Sequence, residues 1–178
     1  LLNRSQAFSL SIYRQSAQRQ FYVEKRPLMA DTSFEELFGH MPQAAAAAHG
    51  RVNLIGEHTD YCGGYVMPTL ISQRLIVQLS QRDDDVIHGH SSEFGTASAS
   101  FDAVEDTSWL LFIKGAIAKM REQGAEIQGL NVMTSSTIPA GAGVSSSAAL
   151  EIALLRALCD LTGISLSPPR NGTHRPAN

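Results

Sequence analysis

The sequence predicts an α+β fold in which strands and helices share one hydrophobic core. Apolar stretches of strand length, bounded by glycines or charged turns, recur along much of the chain. Two later stretches carry apolar residues at helical spacing and end at Gly124 and Gly163. With 178 residues, of which 43% are hydrophobic and 17% charged, the chain is long enough for one domain with a core.

The predicted elements follow in chain order. A short helix spans Asp31–Phe38, with Asp31, Thr32 or Ser33 as its N-cap and Gly39 as its end. A second helix runs from Trp109, capped by Ser108, to about Gln123, and a third, later helix ends near Thr162. Strands are predicted at Val52–Ile55, Tyr65–Leu70, Leu75–Ser80, Val86–His88, Thr96–Phe101 and Leu130–Ser135.

Composition and charge exclude several classes of protein. The net charge of -3 gives no reason to expect nucleic acid or an anionic membrane as a partner. No apolar run approaches the length of a membrane span. The two cysteines, Cys62 and Cys159, do not form a disulfide framework, so we expect a cytoplasmic protein. His88 and His90 could share one strand face, but without a third ligand nearby they predict a solvated pair.

Between Gly50 and Pro68, the apolar strand Val52–Ile55 is followed directly by a concentration of polar side chains. Glu57 and Asp60 stand three residues apart with His58 between them, and Arg51 precedes them. Each carboxylate can accept two hydroxyl hydrogen bonds, so this set suits a ligand with several vicinal hydroxyls. A solvated acidic turn is the alternative for a bare Glu-x-x-Asp.

The whole run from Arg51 to Tyr61 resembles the sugar-binding signature of galactokinases, within the GHMP family of small-molecule kinases. The resemblance implies that residues Glu57, His58, Thr59 and Asp60 bind the sugar and that Arg51 stabilises charge on the transferred phosphoryl group. It also implies a strand across alanines 44–48, although alanine favours a helix by propensity. One departure is Ala48-His49-Gly50, where the family usually has Ala-Pro-Gly before the arginine.

A glycine-rich loop with three serines precedes the last predicted helix, at residues 138–149. Gly141 and Gly143 let the backbone approach an anion, and the helix N-terminus adds about half a positive charge. The serines can donate further hydrogen bonds or ligate magnesium. An ordinary serine-capped helix is the alternative, and the loop lacks the lysine of a Walker A motif.

This second stretch, from Pro139 to Ala149, resembles the nucleotide motif of the same kinase family. The resemblance implies that ATP is held by Gly141, Ala142, Gly143, Val144, Ser145, Ser146 and Ser147. Ser147 would also be a ligand of Mg²⁺, and Trp109 would lie near the adenine. Phe112 stands where the family has a tyrosine, so a hydroxyl contact is absent there.

The chain divides into three predicted parts. Residues 1–28 hold five basic residues and one acidic residue, whereas the remainder holds nine and sixteen. We interpret them as a leader or a non-native extension, either an organelle transit peptide or translated upstream sequence, and favour the second. Residues 29–168 correspond to the sugar- and ATP-binding N-terminal lobe, in which the resemblance implies a mixed or antiparallel sheet packed with helices. Residues 169–178 form an irregular tail.

The sequence-based hypothesis is therefore the N-terminal lobe of a two-lobed galactokinase. The complete enzyme would transfer phosphate from ATP to the anomeric hydroxyl of galactose with Mg²⁺ and act as a monomer. Because the resemblance puts the catalytic aspartate in a C-terminal lobe missing from this sequence, we expect this chain to be inactive alone. Two alternatives remain: a non-catalytic regulator that binds galactose and ATP, and a kinase of a related sugar such as N-acetylgalactosamine or arabinose.

Overall fold

The computed structural model describes residues 32–56, 59, 62–101, 109–139 and 142–166. The proposed leader, the proposed tail and the predicted cap Ser108 therefore lie outside the described residues. The described helices are α1 (Phe34–Phe38), α2 (Leu110–Glu122) and α3 (Ser146–Thr162). The described strands are β1 (Ala44–Ile55), β2 (Met67–Arg82), β3 (Val86–Ser91), β4 (Gly95–Ser100) and β5 (Gly129–Ser136).

The strands form one mixed sheet in the order β1-β2-β5-β3-β4. The pairs β1–β2, β2–β5 and β3–β4 are antiparallel, whereas β3 and β5 run parallel. A parallel pair needs a long crossover, and the chain between β3 and β5 contains β4 and helix α2. The observed arrangement confirms the predicted α+β fold class.

One face of the sheet carries the hydrophobic core, because side chains along a strand alternate between faces. In β1 this face consists of Ala44, Ala46 and Ala48, which lie opposite Leu79, Val77 and Leu75 of β2. Helices α2 and α3 cover the same face, and α3 packs directly against β1 and β2. The small alanine side chains leave room for α3 to approach β1 closely. The helices contribute Ile113, Ile117, Met120, Ala149, Ala153, Leu154 and Ala157 to the core.

Strand β2 differs from the prediction, which had two short strands separated at residues 71–74. It is one strand of 16 residues. The polar run Ser72-Gln73-Arg74 suggests a turn, but in the fold Arg74 pairs with His49 of β1. The register then shifts between His49 and Arg51, and this irregularity keeps both strands paired as far as Ile55. Cross-strand pairing thus overrides the local polar signal.

Helix α1 is capped by Ser33, one of the three predicted candidates, and ends at Gly39 as predicted. Its N-cap is Ser33, whose hydroxyl accepts from the Glu36 amide while the Glu36 carboxylate accepts from the Ser33 amide. Gly39 ends the helix in the left-handed conformation, with φ of 78°. The ring of Phe38 meets His88 edge-on at 5.6 Å between centroids. Helix α1 therefore rests on the sheet face opposite the core.

Polar side chains on that opposite face form hydrogen bonds with one another. Arg82 Nη1 donates to Asn131 Oδ1 at 2.9 Å, and Asn131 Nδ2 donates to Ser80 Oγ at 3.1 Å. Hydrogen bonds from the Arg82 guanidinium lower the pKa of Asp84 to about 2. His90 is hydrogen-bonded to Thr96 Oγ1, and no cluster of three or more potential metal ligands occurs among the described residues.

Two glycine substitutions test this packing. Gly129→Ala should destabilise the fold by roughly 1–3 kcal/mol, because an added Cβ would lie 2.7 Å from the Val86 carbonyl oxygen. Gly115→Ala is the matched control. It lies in α2, and apart from its chain neighbours and its own helix backbone no atom lies within 4 Å of an added Cβ, so it should stabilise by about 0.5–1 kcal/mol. Urea unfolding followed by circular dichroism measures both, and equal midpoints would contradict the close approach of β5 to the β2–β3 turn.

Candidate functional site

The two motifs singled out in the sequence meet at the outer edge of β1. The backbone N–H of Arg51 donates to the carbonyl oxygen of Val144 at 3.0 Å. Arg51 belongs to the strand that leads into the polar loop, and Val144 belongs to the glycine-rich loop before α3. This hydrogen bond fixes the glycine-rich loop against the strand that carries the arginine.

Gly50 allows this close approach. A Cβ at position 50 would lie 3.0 Å from the Val144 carbonyl oxygen and 2.9 Å from the Ile71 side chain. The carbonyl belongs to the backbone and cannot swing aside as a long side chain would. Gly50 is therefore required by space, since its own backbone is not left-handed.

A shallow depression lies between β1 and α3, beside this contact. It contains the basic side chains Arg51 and Arg156, together with His49 and Ser145. His49 is half-buried, and its Nδ1 donates to the Ile71 carbonyl oxygen at 2.9 Å, which fixes the ring orientation. The remaining lining residues are Ala47, Ala48, Leu70, Ala148, Ala149 and Ile152. The described lining thus includes two arginines and no acidic side chain.

Helix α3 begins in an unusual way. Its N-cap Ser145 has φ of 61°, the one left-handed non-glycine residue in the described part of the chain. The Ser145 carbonyl accepts from the Ala149 amide, but its hydroxyl makes no capping hydrogen bond. The first turn carries no acidic residue, and Ser147 is exposed there. Ser145 lines the depression, so the N-terminal end of α3 lies beside it.

The polar loop after β1 is only partly described. Glu57, His58 and Asp60, the predicted sugar ligands, lie outside the described residues, and so does Gly141 of the glycine-rich loop. Thr59 is described and exposed, and its hydroxyl donates to the Gly56 carbonyl at 2.8 Å. The structure brings Arg51 and the glycine-rich loop together, whereas the roles of Arg51 and of the sugar loop stay predictions.

Trp109, the predicted adenine neighbour, stands at the start of α2 and is half-buried. Its ring lies over Gly89 of β3, where an added Cβ would come within 2.7 Å of the ring. Among the described residues, its buried Nε1 has no hydrogen-bond partner. The indole thus packs on the core with one side partly open, and its role toward a nucleotide stays a prediction.

Arg156 lines the depression, a role that was not predicted from the sequence. Ser145, Ala149, Ile152 and Arg156 all line the depression. They are spaced four, three and four residues apart, so they form one face of α3. The helical spacing could have indicated from the sequence that these residues share a face. Only the fold shows that this face lies against β1.

Comparison with known proteins now identifies the family. The model of the galactokinase galactose-binding signature matches residues 32–81, and the model of the GHMP kinase N-terminal domain matches residues 112–170. A galactokinase of Streptomyces coelicolor is 41% identical over 138 residues, and one of Staphylococcus carnosus is 43% identical over 140 residues. The chain belongs to the galactokinase family. The predicted resemblance is confirmed.

The chain corresponds to part of these relatives. The alignments cover 75% and 73% of this chain, but 36% of the length of each relative. A crystal structure of Lactococcus lactis galactokinase complexed with galactose superposes with a TM-score of 0.67 at 32% identity, over 75% of this chain and 37% of that one. Methanococcus jannaschii mevalonate kinase, at 18% identity and a TM-score of 0.60 over 73% of this chain and 43% of that one, shares the fold.

The hydrogen bond between β1 and the glycine-rich loop can be tested directly. Gly50→Ala should push the Val144 carbonyl away, so the Arg51 amide should exchange with solvent about tenfold faster or more. Hydrogen exchange followed by NMR on the purified chain measures this rate. Gly115→Ala is again the control, because no atom lies near an added Cβ there. An unchanged Arg51 rate in Gly50→Ala would contradict the contact.

Proposed function

We propose that this galactokinase-family chain provides sugar- and ATP-binding surfaces for phosphoryl transfer from ATP to the anomeric hydroxyl of galactose. The observation that carries the proposal is the Arg51–Val144 hydrogen bond, because it brings the strand leading to the sugar motif against the phosphate motif. The likeness to a galactokinase crystallised with galactose supports galactose as the sugar.

In this proposal the glycine-rich loop and the start of α3 hold the ATP phosphates. Gly143, with φ of 70°, would let the backbone amides of the loop approach the anion, and the first turn of α3 would contribute its N–H groups. Ser145, Ser146 and Ser147 add hydroxyl donors beside them. Trp109 would contribute an aromatic surface for the base at the start of α2.

Arg51 would stabilise charge on the phosphoryl group as it moves toward the sugar. Its backbone is fixed by Val144, and its side chain lines the depression beside Ser145. A guanidinium keeps its charge at all physiological pH values and matches phosphate oxygens in geometry. Phosphoryl transfer depends mainly on positioning and on such charge stabilisation, so a fixed arginine at this junction suits the reaction.

The polar loop would bind galactose. Glu57 and Asp60 would accept hydrogen bonds from sugar hydroxyls, and His58 would add a donor or an acceptor. These three residues surround Thr59 in the sequence, directly after the strand that carries Arg51. The loop and the arginine would therefore place the sugar hydroxyl and the phosphoryl group next to each other.

Magnesium would enter with ATP. Mg²⁺ is usually held by few protein ligands together with substrate phosphates and water. The exposed Ser147 in the first turn of α3 fits that requirement with one hydroxyl ligand. When bound, the ion would neutralise charge on the phosphates.

No helix among the described residues is long and apolar enough to cross a membrane. The partners proposed are galactose, ATP and a C-terminal lobe, in a monomeric complete enzyme.

A first test of the sugar loop uses Asp60. Asp60→Ala should weaken galactose binding about 10–100-fold, because a sugar hydroxyl loses a charged acceptor, which costs about 1–3 kcal/mol. Binding of a non-hydrolysable ATP analogue with Mg²⁺ should stay within about twofold. Isothermal titration calorimetry measures both affinities. Ser72→Ala, an exposed change in β2, serves as control. An unchanged galactose affinity would remove Asp60 from the site.

A second test concerns Ser147. Ser147→Ala should raise the Mg²⁺ concentration needed for half-maximal binding of the ATP analogue about tenfold, since one ligand is lost. Ser72→Ala is again the control, because Ser72 is an exposed residue of β2 outside the glycine-rich loop. An equal Mg²⁺ dependence in all three proteins would contradict the proposed metal ligand. Loss of binding at every Mg²⁺ concentration would instead assign Ser147 to the phosphates.

A further inference from the structure

Thr59 closes the loop between β1 and β2 through five hydrogen bonds. Its backbone N–H donates to the Gly56 carbonyl at 3.1 Å, and its hydroxyl approaches the carbonyls of Gly56 at 2.8 Å and Tyr65 at 3.3 Å. Its own carbonyl accepts from the amides of Cys62 at 3.1 Å and Gly64 at 2.9 Å. One residue thus connects the start of the loop, just after β1, with its end, just before β2.

The glycines of the loop fit this closure. Gly56 has φ of 95°, and a Cβ there would come within 3.0 Å of Val66 Cα. A Cβ on Gly64 would lie 2.8 Å from Thr59 Cβ and 3.2 Å from the Thr59 carbonyl oxygen. The two ends of the loop therefore pack against each other and around Thr59, with no space for additional side-chain atoms.

The hydroxyl of Thr59 has one proton to donate. That proton is directed at main-chain carbonyls, and the 2.8 Å distance to Gly56 makes this the stronger of the two contacts. A sugar hydroxyl could receive the proton only if the loop lost this hydrogen bond. The donor capacity of the threonine hydroxyl is therefore used within the loop, although Thr59 stands among the predicted sugar ligands.

We propose that Thr59 is a positioning residue, which ties Gly56 to Tyr65 and so holds together the two ends of the loop whose sequence contains the proposed sugar ligands Glu57, His58 and Asp60. This inference rests on the proposed function, because it assumes that the loop binds galactose. It changes the role of Thr59 from a sugar ligand to a residue that acts through the loop. Gly64→Ala should also disturb this closure, because the added Cβ would crowd Thr59 while the Thr59 hydroxyl is kept.

The first experiment measures loop closure without sugar. Amide exchange of Cys62 and Gly64, whose N–H groups donate to Thr59, is followed by NMR in the complete 178-residue chain. Thr59→Val keeps the side-chain shape and loses the hydroxyl, so exchange should become about tenfold faster. Gly64→Ala should accelerate the Cys62 amide in the same way, whereas Thr59→Ser should stay within about twofold of wild type. Unchanged rates in Thr59→Val would overturn the proposal.

The second experiment separates positioning from direct contact. Dissociation constants are measured for galactose and for its monodeoxy analogues, each lacking one hydroxyl. If Thr59 acts through the loop, Thr59→Val should weaken every sugar by a common factor of about ten, and Thr59→Ser should restore binding. If Thr59 touches one hydroxyl, the analogue lacking that hydroxyl should be insensitive to Thr59→Val. That result would overturn the proposal.

The two experiments also separate this inference from the proposed function. A wild-type chain that binds no galactose would count against the proposed function, while the exchange rates would still decide whether Thr59 closes the loop. Binding of the Mg²⁺–ATP analogue should be equal in all variants, because none of the substitutions touches the glycine-rich loop. A loss of analogue binding in Thr59→Val would indicate a wider disturbance and overturn a role confined to the sugar loop.

Discussion

The glycine-rich loop lies against the edge of β1, and the arrangement of the site depends on this contact. The hydrogen bond from the Arg51 amide to the Val144 carbonyl occupies an edge position of the strand that would otherwise face solvent. The bond uses the backbone of Arg51, and the side chain of Arg51 lines the depression. The same short stretch of strand therefore anchors the phosphate motif and leads into the sugar motif.

Small residues along β1 make this contact and the packing of α3 compatible. Ala44, Ala46 and Ala48 are buried under the helices, and Gly50 follows them at the same alternation. Larger side chains at these positions would hold α3 and the preceding loop away from the strand. The alanine run, which favours a helix when considered alone, is thus explained by the helix that packs on it.

Local signals could be predicted from the sequence, and contacts between distant residues could not. The N-cap Ser33, one of three predicted candidates, and the glycines that end the helices act within one turn, so their roles were visible. Strand β2 was predicted in two parts, since its continuity depends on pairing with β1 and β5. For the site, the motif types were recognisable, whereas the Arg51–Val144 bond and the lining role of Arg156 required the fold.

The start of α3 shows a conflict between local preference and site geometry. A left-handed serine costs roughly 1–2 kcal/mol relative to a right-handed one, and Ser145 regains nothing through a capping hydrogen bond. Its neighbour Val144 is held by Arg51, so the loop must turn sharply between this anchor and the helix. The strain therefore lies where two packed elements meet beside the depression. Strain of this kind persists only where the surrounding structure imposes it, as the strand edge does here.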